Sequence, residues 1–113
     1  MPDACLFCRI ARKEIPAAIV AEDAHFVAFR DINPQAPTHV LVIPREHVAT
    51  LDDVNDAGML GRMALFAAEV ARKEGIVQSG YRLVANTNAG AGQTVFHLHF
   101  HVLGGRAMHW PPG

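Results

Sequence analysis

The chain has 113 residues, half of them hydrophobic, with ten Lys and Arg against eleven Asp and Glu. That length supplies apolar material for one core and leaves no room for a second, so a single domain over residues 1–113 is expected. A formal net charge of −1 offers no electrostatic footprint for nucleic acid and no polybasic membrane patch. No run approaches the roughly 20 apolar residues that span a bilayer, and the N-terminus lacks a basic region followed by an apolar one, so a cytoplasmic protein is expected.

Residues 4–12 read as a short helix closed by Ile15-Pro16. It carries Cys5 and Cys8, too few cysteines for a disulfide framework but spaced as one half of a tetrahedral zinc site. A thioredoxin-like redox pair is disfavoured because no strand precedes the motif, and two small buried apolar residues remain the plain alternative. Residues 18–21 and 25–30 read as strands about a Glu22-Asp23 turn. Prolines make 33–37 a loop, and 38–44 form a third strand. From 55 to 74, Met59, Leu60, Met63, Phe66, Ala67 and Val70 recur with helical period until Gly75 stops the helix. Met59, Met63 and Phe66 are expected to pack in the core rather than line a ligand site. Residues 81–86 form a fourth strand, 89–92 a turn, and 94–103 the hairpin partner of the fourth strand. The fold class is α+β, with a mostly antiparallel sheet of about five strands, one long helix and a short N-terminal helix.

The last strand carries the chemistry. In Phe96-His97-Leu98-His99-Phe100-His101-Val102, the period of two places all three imidazoles on one face and Phe96, Leu98, Phe100 and Val102 on a core-facing one. At about 3.3 Å per residue, His97 and His101 stand roughly 13 Å apart, too far for one zinc to hold all three. At most two adjacent histidines share a metal. The others are available for general acid-base or nucleophilic work, which requires an acceptor that fixes the tautomer of the nucleophile. Three polar residues on an exposed edge strand remain the bland alternative. The preceding Gly90-Ala91-Gly92-Gln93-Thr94 segment offers backbone N–H groups and side-chain donors to a phosphate, although a hairpin turn needs glycine in any case.

With His97-Leu98-His99-Phe100-His101-Val102-Leu103, the Gly-Gln-Thr turn, the Pro37–Pro44 strand and the Gly104–Gly113 tail together, the chain resembles the histidine triad (HIT) superfamily. More narrowly, it resembles the Hint branch of purine nucleoside phosphoramidases. The likeness runs from about Cys5 to Gly113. It implies a HIT-like domain that binds an AMP or GMP moiety, acts as a homodimer and needs no catalytic cofactor. It implies that His99 attacks the α-phosphorus to give a nucleotidyl-imidazole, with His101 and His39 beside the phosphate. Gly92, Gln93 and Thr94 would contact the phosphate and leaving group, and Asn86 would be a further polar site residue. Asp31 would bind the ribose hydroxyls, with Phe29 and Ile32 as walls for the base. Read without the resemblance, Asp31-Ile32-Asn33-Pro34 is equally good turn chemistry.

The resemblance also implies a structural zinc held by Cys5, Cys8, His47 and His97, which would remove His97 from the catalytic set. Trp110, on a tail that cannot be strand or helix, would cover the partner subunit's active-site rim, or fold back on its own domain. His25 and His109 read as ordinary surface residues. The function implied is hydrolysis of P–N bonds in purine nucleoside phosphoramidates. Hydrolysis of dinucleoside polyphosphates, nucleotide-binding regulation with little catalysis, and a metal-dependent hydrolase with zinc at the triad are the competing readings.

Overall fold

The computed structural model describes residues 4–113; Met1, Pro2 and Asp3, read above as part of an N-terminus without a leader, lie outside the described residues. Helix α1 (Leu6–Ala11) is capped by Cys5, whose side chain accepts from the Cys8 amide. Strands β1 (Ile19–Glu22) and β2 (Phe26–Arg30) flank a turn closed by Asp23, whose carboxylate accepts the amides of His25 and Phe26, both at 2.8 Å. Strand β3 (Thr38–Pro44) follows. A 3₁₀ turn (Leu51–Asp53) leads into helix α2 (Ala57–Lys73), capped by Asp56. Strands β4 (Tyr81–Val84) and β5 (Phe100–Gly104) complete an antiparallel sheet of order β1-β2-β3-β5-β4.

Strand alternation divides the core between the two faces of the sheet. Phe26, Ala28, Val40, Val42, Phe100 and Val102 pack with Met63, Ala67, Val70 and Ala71 of α2. Val27, Phe29, Leu41 and Ile43 pack with Phe7, Ile10 and Ala11 of α1. Strand β3 is buried from His39 onward on both faces and is central to the sheet. Met63 is buried, and Met59 and Phe66 pack against the same core. Arg45 ties the two ends of the α1 side together, donating to the carbonyls of Ala11 and Asp23 and to Glu22. Among the described residues, no helix is long and apolar enough to cross a membrane.

The structure corrects the reading of 94–103 as one continuous strand. Pairing with β3 begins only at Phe100, opposite Val42, and 94–99 run as an irregular segment. The cause is a competing set of bonds: the Leu98 amide donates to the Val48 carbonyl at 2.7 Å, beyond the end of β3, and the His97 ring is drawn into the interior. The alternation of faces survives. Leu98, Phe100 and Val102 join the α2 core, and His101 lies opposite Leu41 on the α1 face. Phe96, expected in the core, is 46% exposed because it precedes the point where the segment docks. The fourth strand ends at Val84, so Asn86 lies past it.

Candidate active site and metal cluster

Cys5 and Cys8 converge with two distant histidines. The Nδ1 of His97 lies 3.3 Å from the Cys5 Sγ and 3.4 Å from the Cys8 Sγ; the Nδ1 of His47 lies 3.4 Å from the Cys8 Sγ and 3.2 Å from the His97 Nδ1. All four ligand atoms lie within 4.8 Å of one another. Ligands on a tetrahedral zinc, at about 2.3 Å for sulfur and about 2.0 Å for nitrogen, stand about 3.3–3.8 Å apart, so the spacing fits. The tautomer fits too. His97 Nε2–H donates to the Pro44 carbonyl at 2.7 Å, which leaves the Nδ1 lone pair free for a metal, the usual outer-shell arrangement. Burial, partly offset by that bond, brings His97 down to about 4 and keeps it neutral. Burial and then the adjacent Cys5 push the Cys8 thiol up to about 11. Two thiols and two imidazoles brought together at the end of α1 are a donor set suited to a soft or borderline cation. The structure brings His97 together with Cys5, Cys8 and His47, the four residues that the resemblance implies as ligands.

His99 is 9% exposed and lines a cavity of about 590 Å³ beside α1. Its Nδ1 lies 2.8 Å from the His97 carbonyl, which as a pure acceptor requires the proton on Nδ1. In the neutral ring the remaining nitrogen, Nε2, then carries the lone pair. This is the acceptor that a nucleophilic histidine needs, and it is supplied by the backbone of a residue whose side chain belongs to the cysteine-histidine cluster.

His39 and His101 form a second pair, with His39 Nε2 2.9 Å from His101 Nδ1. The direction of the proton follows from the neighbours. The Gln35 amide donates to His39 Nδ1 at 3.0 Å, so a neutral His39 is protonated on Nε2 and donates to His101 Nδ1; His101 then presents an Nε2–H donor. Asp31 Oδ2 lies 3.4 Å from His39 Nε2. Asp31, His39 and His101 are spaced as a metal site would be, but the Gln35 amide occupies the Nδ1 lone pair and keeps the proton on Nε2. This cluster holds a proton where the cysteine cluster offers lone pairs. Burial lowers His39, and burial followed by the neighbouring His99 and His39 lowers His101 to about 4, so both are neutral at pH 7.

The cavity brings together Phe29, Asp31, Ile32, Thr94, His99 and His101 of the residues singled out in the sequence. Ile32 is fully exposed at its rim. Asp31 lines the cavity and makes the turn contact, its Oδ1 accepting the Asn33 amide at 2.8 Å, while its Oδ2 faces His39. Gln93, Gly92, Asn86 and Trp110 do not line the cavity. Gln93 is buried and staples its own loop, its Oε1 accepting the Asn88 amide and its Nε2 donating to the carbonyls of Ala49 and Val95. Gly92, with φ +94°, closes a 3₁₀ turn (Ala89–Ala91) and gives its N–H to Ala89. Trp110 is 82% exposed and does not fold back on its own domain, and His25 and His109 are exposed as expected.

Helix α1 supplies cavity wall that the sequence reading missed. Leu6, Phe7 and Ile10 line it with Ile15, Pro16 and Leu41. Their signal in the sequence is three apolar residues on a six-residue helix, overshadowed by the cysteine pair beside them.

His99 and His101 face an apolar cavity on a small α+β domain with a five-stranded antiparallel sheet. The chain belongs to the HIT family, whose HIT domain profile matches residues 12–108, and it is a hydrolase of that family. It is 49% identical over 110 residues to the purine nucleoside phosphoramidase of Escherichia coli K12, covering 96% of this chain and 92% of that protein. The crystal structure of a HIT family hydrolase from Legionella pneumophila Philadelphia 1 superposes with TM-score 0.94 at 56% identity, over 96% of this chain and 99% of that one. A zinc-bound histidine triad family protein from Mycobacterium smegmatis superposes with TM-score 0.84 at 33% identity, over 94% and 78%.

Proposed function

We propose that the protein hydrolyses the P–N bond of purine nucleoside phosphoramidates through a nucleotidyl intermediate on His99. The observation that carries this reading is the His99 Nδ1–H bond to the His97 carbonyl, which leaves a nucleophilic Nε2 on a residue lining the cavity. The Nε2 lone pair attacks the α-phosphorus, the P–N bond breaks, and the amine leaves with a proton taken from solvent. Water then attacks the phosphorus, the P–Nε2 bond breaks, and nucleoside monophosphate and a proton are released. Two easier substitutions replace one hard one. His101 donates its Nε2–H to a phosphoryl oxygen, and His39 holds His101 in the tautomer that allows it. Asp31 accepts from ribose, and Phe29 and Ile32 flank the base. The phosphoramidase named among the relatives supports this choice of substrate.

Cys5, Cys8, His47 and His97 would hold a structural zinc, which supplies folding energy and cross-links α1 to the segment before β5. The acting form is a homodimer: Leu65 of α2, Leu83 of the edge strand β4 and Trp110 are large apolar residues left exposed, a pattern that a second copy covers. Light scattering at micromolar concentration tests the dimer.

The deciding experiment is mass spectrometry of protein quenched during turnover of adenosine 5′-phosphoramidate. The expected result is a mass increase of one adenylyl group on His99, absent from His99→Ala, which still binds AMP. An adduct on any other residue overturns the mechanism.

A further inference from the structure

The bond from His99 to the His97 carbonyl fixes one atom of the nucleophile's ring. By itself it leaves the ring small compensating rotations about χ1 and χ2, and these move Nε2. Two rings flank His99 and limit the motion: His101, with centroids 5.0 Å apart at 60°, and Phe7, at 5.1 Å and 84°. Phe7 is itself held. It is 5% exposed and meets Phe29 edge to face at 5.4 Å and His97 at 6.0 Å. It also sits between Cys5 and Cys8 at the start of the six-residue helix α1, so the two thiol contacts with His97 and His47 bracket it in sequence.

We infer that Phe7 is a positioning residue for the nucleophile, and that the cysteine-histidine cluster governs His99 orientation by fixing the helix turn that carries Phe7. The inference rests on the reading of His99 as nucleophile. Its physical content is that the Cys5-Leu6-Phe7-Cys8 segment performs two linked tasks, metal ligation by its ends and restraint of the reacting ring by its third residue. Edge-to-face contacts are orientation-dependent, so an aliphatic side chain keeps an apolar contact at this position but not the role. Near-attack geometry is demanding, and a misplacement of about 1 Å costs about a hundredfold in rate.

The test compares Phe7→Leu and Phe7→Tyr with the parent protein, each with its metal content measured. Three quantities are read: the rate of adduct formation at saturating adenosine 5′-phosphoramidate, the AMP dissociation constant, and the ¹⁵N-imidazole NMR signal of His99 Nδ1–H. Phe7→Leu is expected to slow adduct formation about tenfold or more, with AMP affinity and zinc content within threefold of the parent, while the His99 Nδ1–H signal broadens. Phe7→Tyr restores the rate to within threefold. Chelator-treated parent protein shows the same broadening as Phe7→Leu. The inference is overturned if Phe7→Leu forms adduct within twofold of the parent rate, if its defect lies wholly in AMP affinity, or if the His99 signal stays sharp in the chelated parent. Should Phe7→Leu lose zinc, the unbranched Phe7→Met is judged by the same criteria. Failure of the parent to form any adduct defeats the phosphoramidase reading alone, because the NMR comparison still decides the role of Phe7.

Discussion

The tautomer of His39 is the most exposed point of the proposed chemistry, and two substitutions test its two hydrogen bonds separately. In His39→Asn the side-chain oxygen stands near the former Nδ1 and keeps an acceptor for the Gln35 amide, but the donor to His101 is lost. In His39→Gln the amide nitrogen stands near the former Nε2 and keeps the donor, while the Gln35 amide loses its partner. The bonds at stake are 3.0 Å from Gln35 and 2.9 Å to His101. An unsatisfied buried donor costs about 1–3 kcal/mol; Gln35 is itself exposed, so its amide recovers part of this from water and about 1 kcal/mol is expected for His39→Gln. Losing a positioned proton partner lowers rate by about 10²–10⁴-fold. Thus His39→Asn should lose at least a hundredfold in kcat, whereas His39→Gln should retain kcat within tenfold. Steady-state kinetics beside urea denaturation read both. The reverse ranking, with His39→Asn active and His39→Gln inactive, would refute the assigned proton direction.

Three further outcomes are expected. Cys8→Ser should reduce bound zinc below a tenth of an equivalent and lower the thermal midpoint by several degrees, as measured by metal analysis and scanning calorimetry; an equivalent of zinc retained at unchanged stability would remove Cys8 from the ligand set. Leu98→Ala, at a fully buried position between the two site histidines, should cost about 3–5 kcal/mol in urea unfolding by lost burial and a residual cavity, and a cost under 1 kcal/mol would show that the segment is not docked. Acid should destabilise the fold: unfolded histidine takes a proton near 6.5, but folded His101 does so only at about 4, so the unfolded state binds more protons between those values. Stability then falls as pH drops from about 6.5 to 4, by up to about 1.4 kcal/mol per pH unit for each such group. The urea midpoint should be lower at pH 5 than at pH 7.5, less so in His101→Gln, and an equal fall in both would assign it to other groups.

Local pattern determined much of this protein. The helix periodicity of 55–74 placed α2, the proline-bounded apolar run placed β3, and the alternation after Thr94 put Leu98, Phe100 and Val102 in one core with His99 and His101 on the other face. Alternation reports the side on which a residue lies, because backbone geometry sets it residue by residue. It does not report where a strand begins, because that depends on which partner claims the backbone groups, and here Val48 rather than β3 takes the Leu98 amide. The cysteine pair announced half a metal site, but spacing cannot select partners 39 and 89 residues away; the resemblance named His47 and His97, and the fold brings them to the thiols. Gln93 shows the limit most plainly. An amide side chain offers the same donors to a phosphate as to its own loop, and only packing decides which it meets. What the sequence alone determined is the facing of the site's histidines. Tertiary structure alone decided which nitrogen of each imidazole carries its proton, since that choice belongs to the Pro44 and His97 carbonyls and the Gln35 amide, acceptors and donors common to every residue and brought to each ring by the fold.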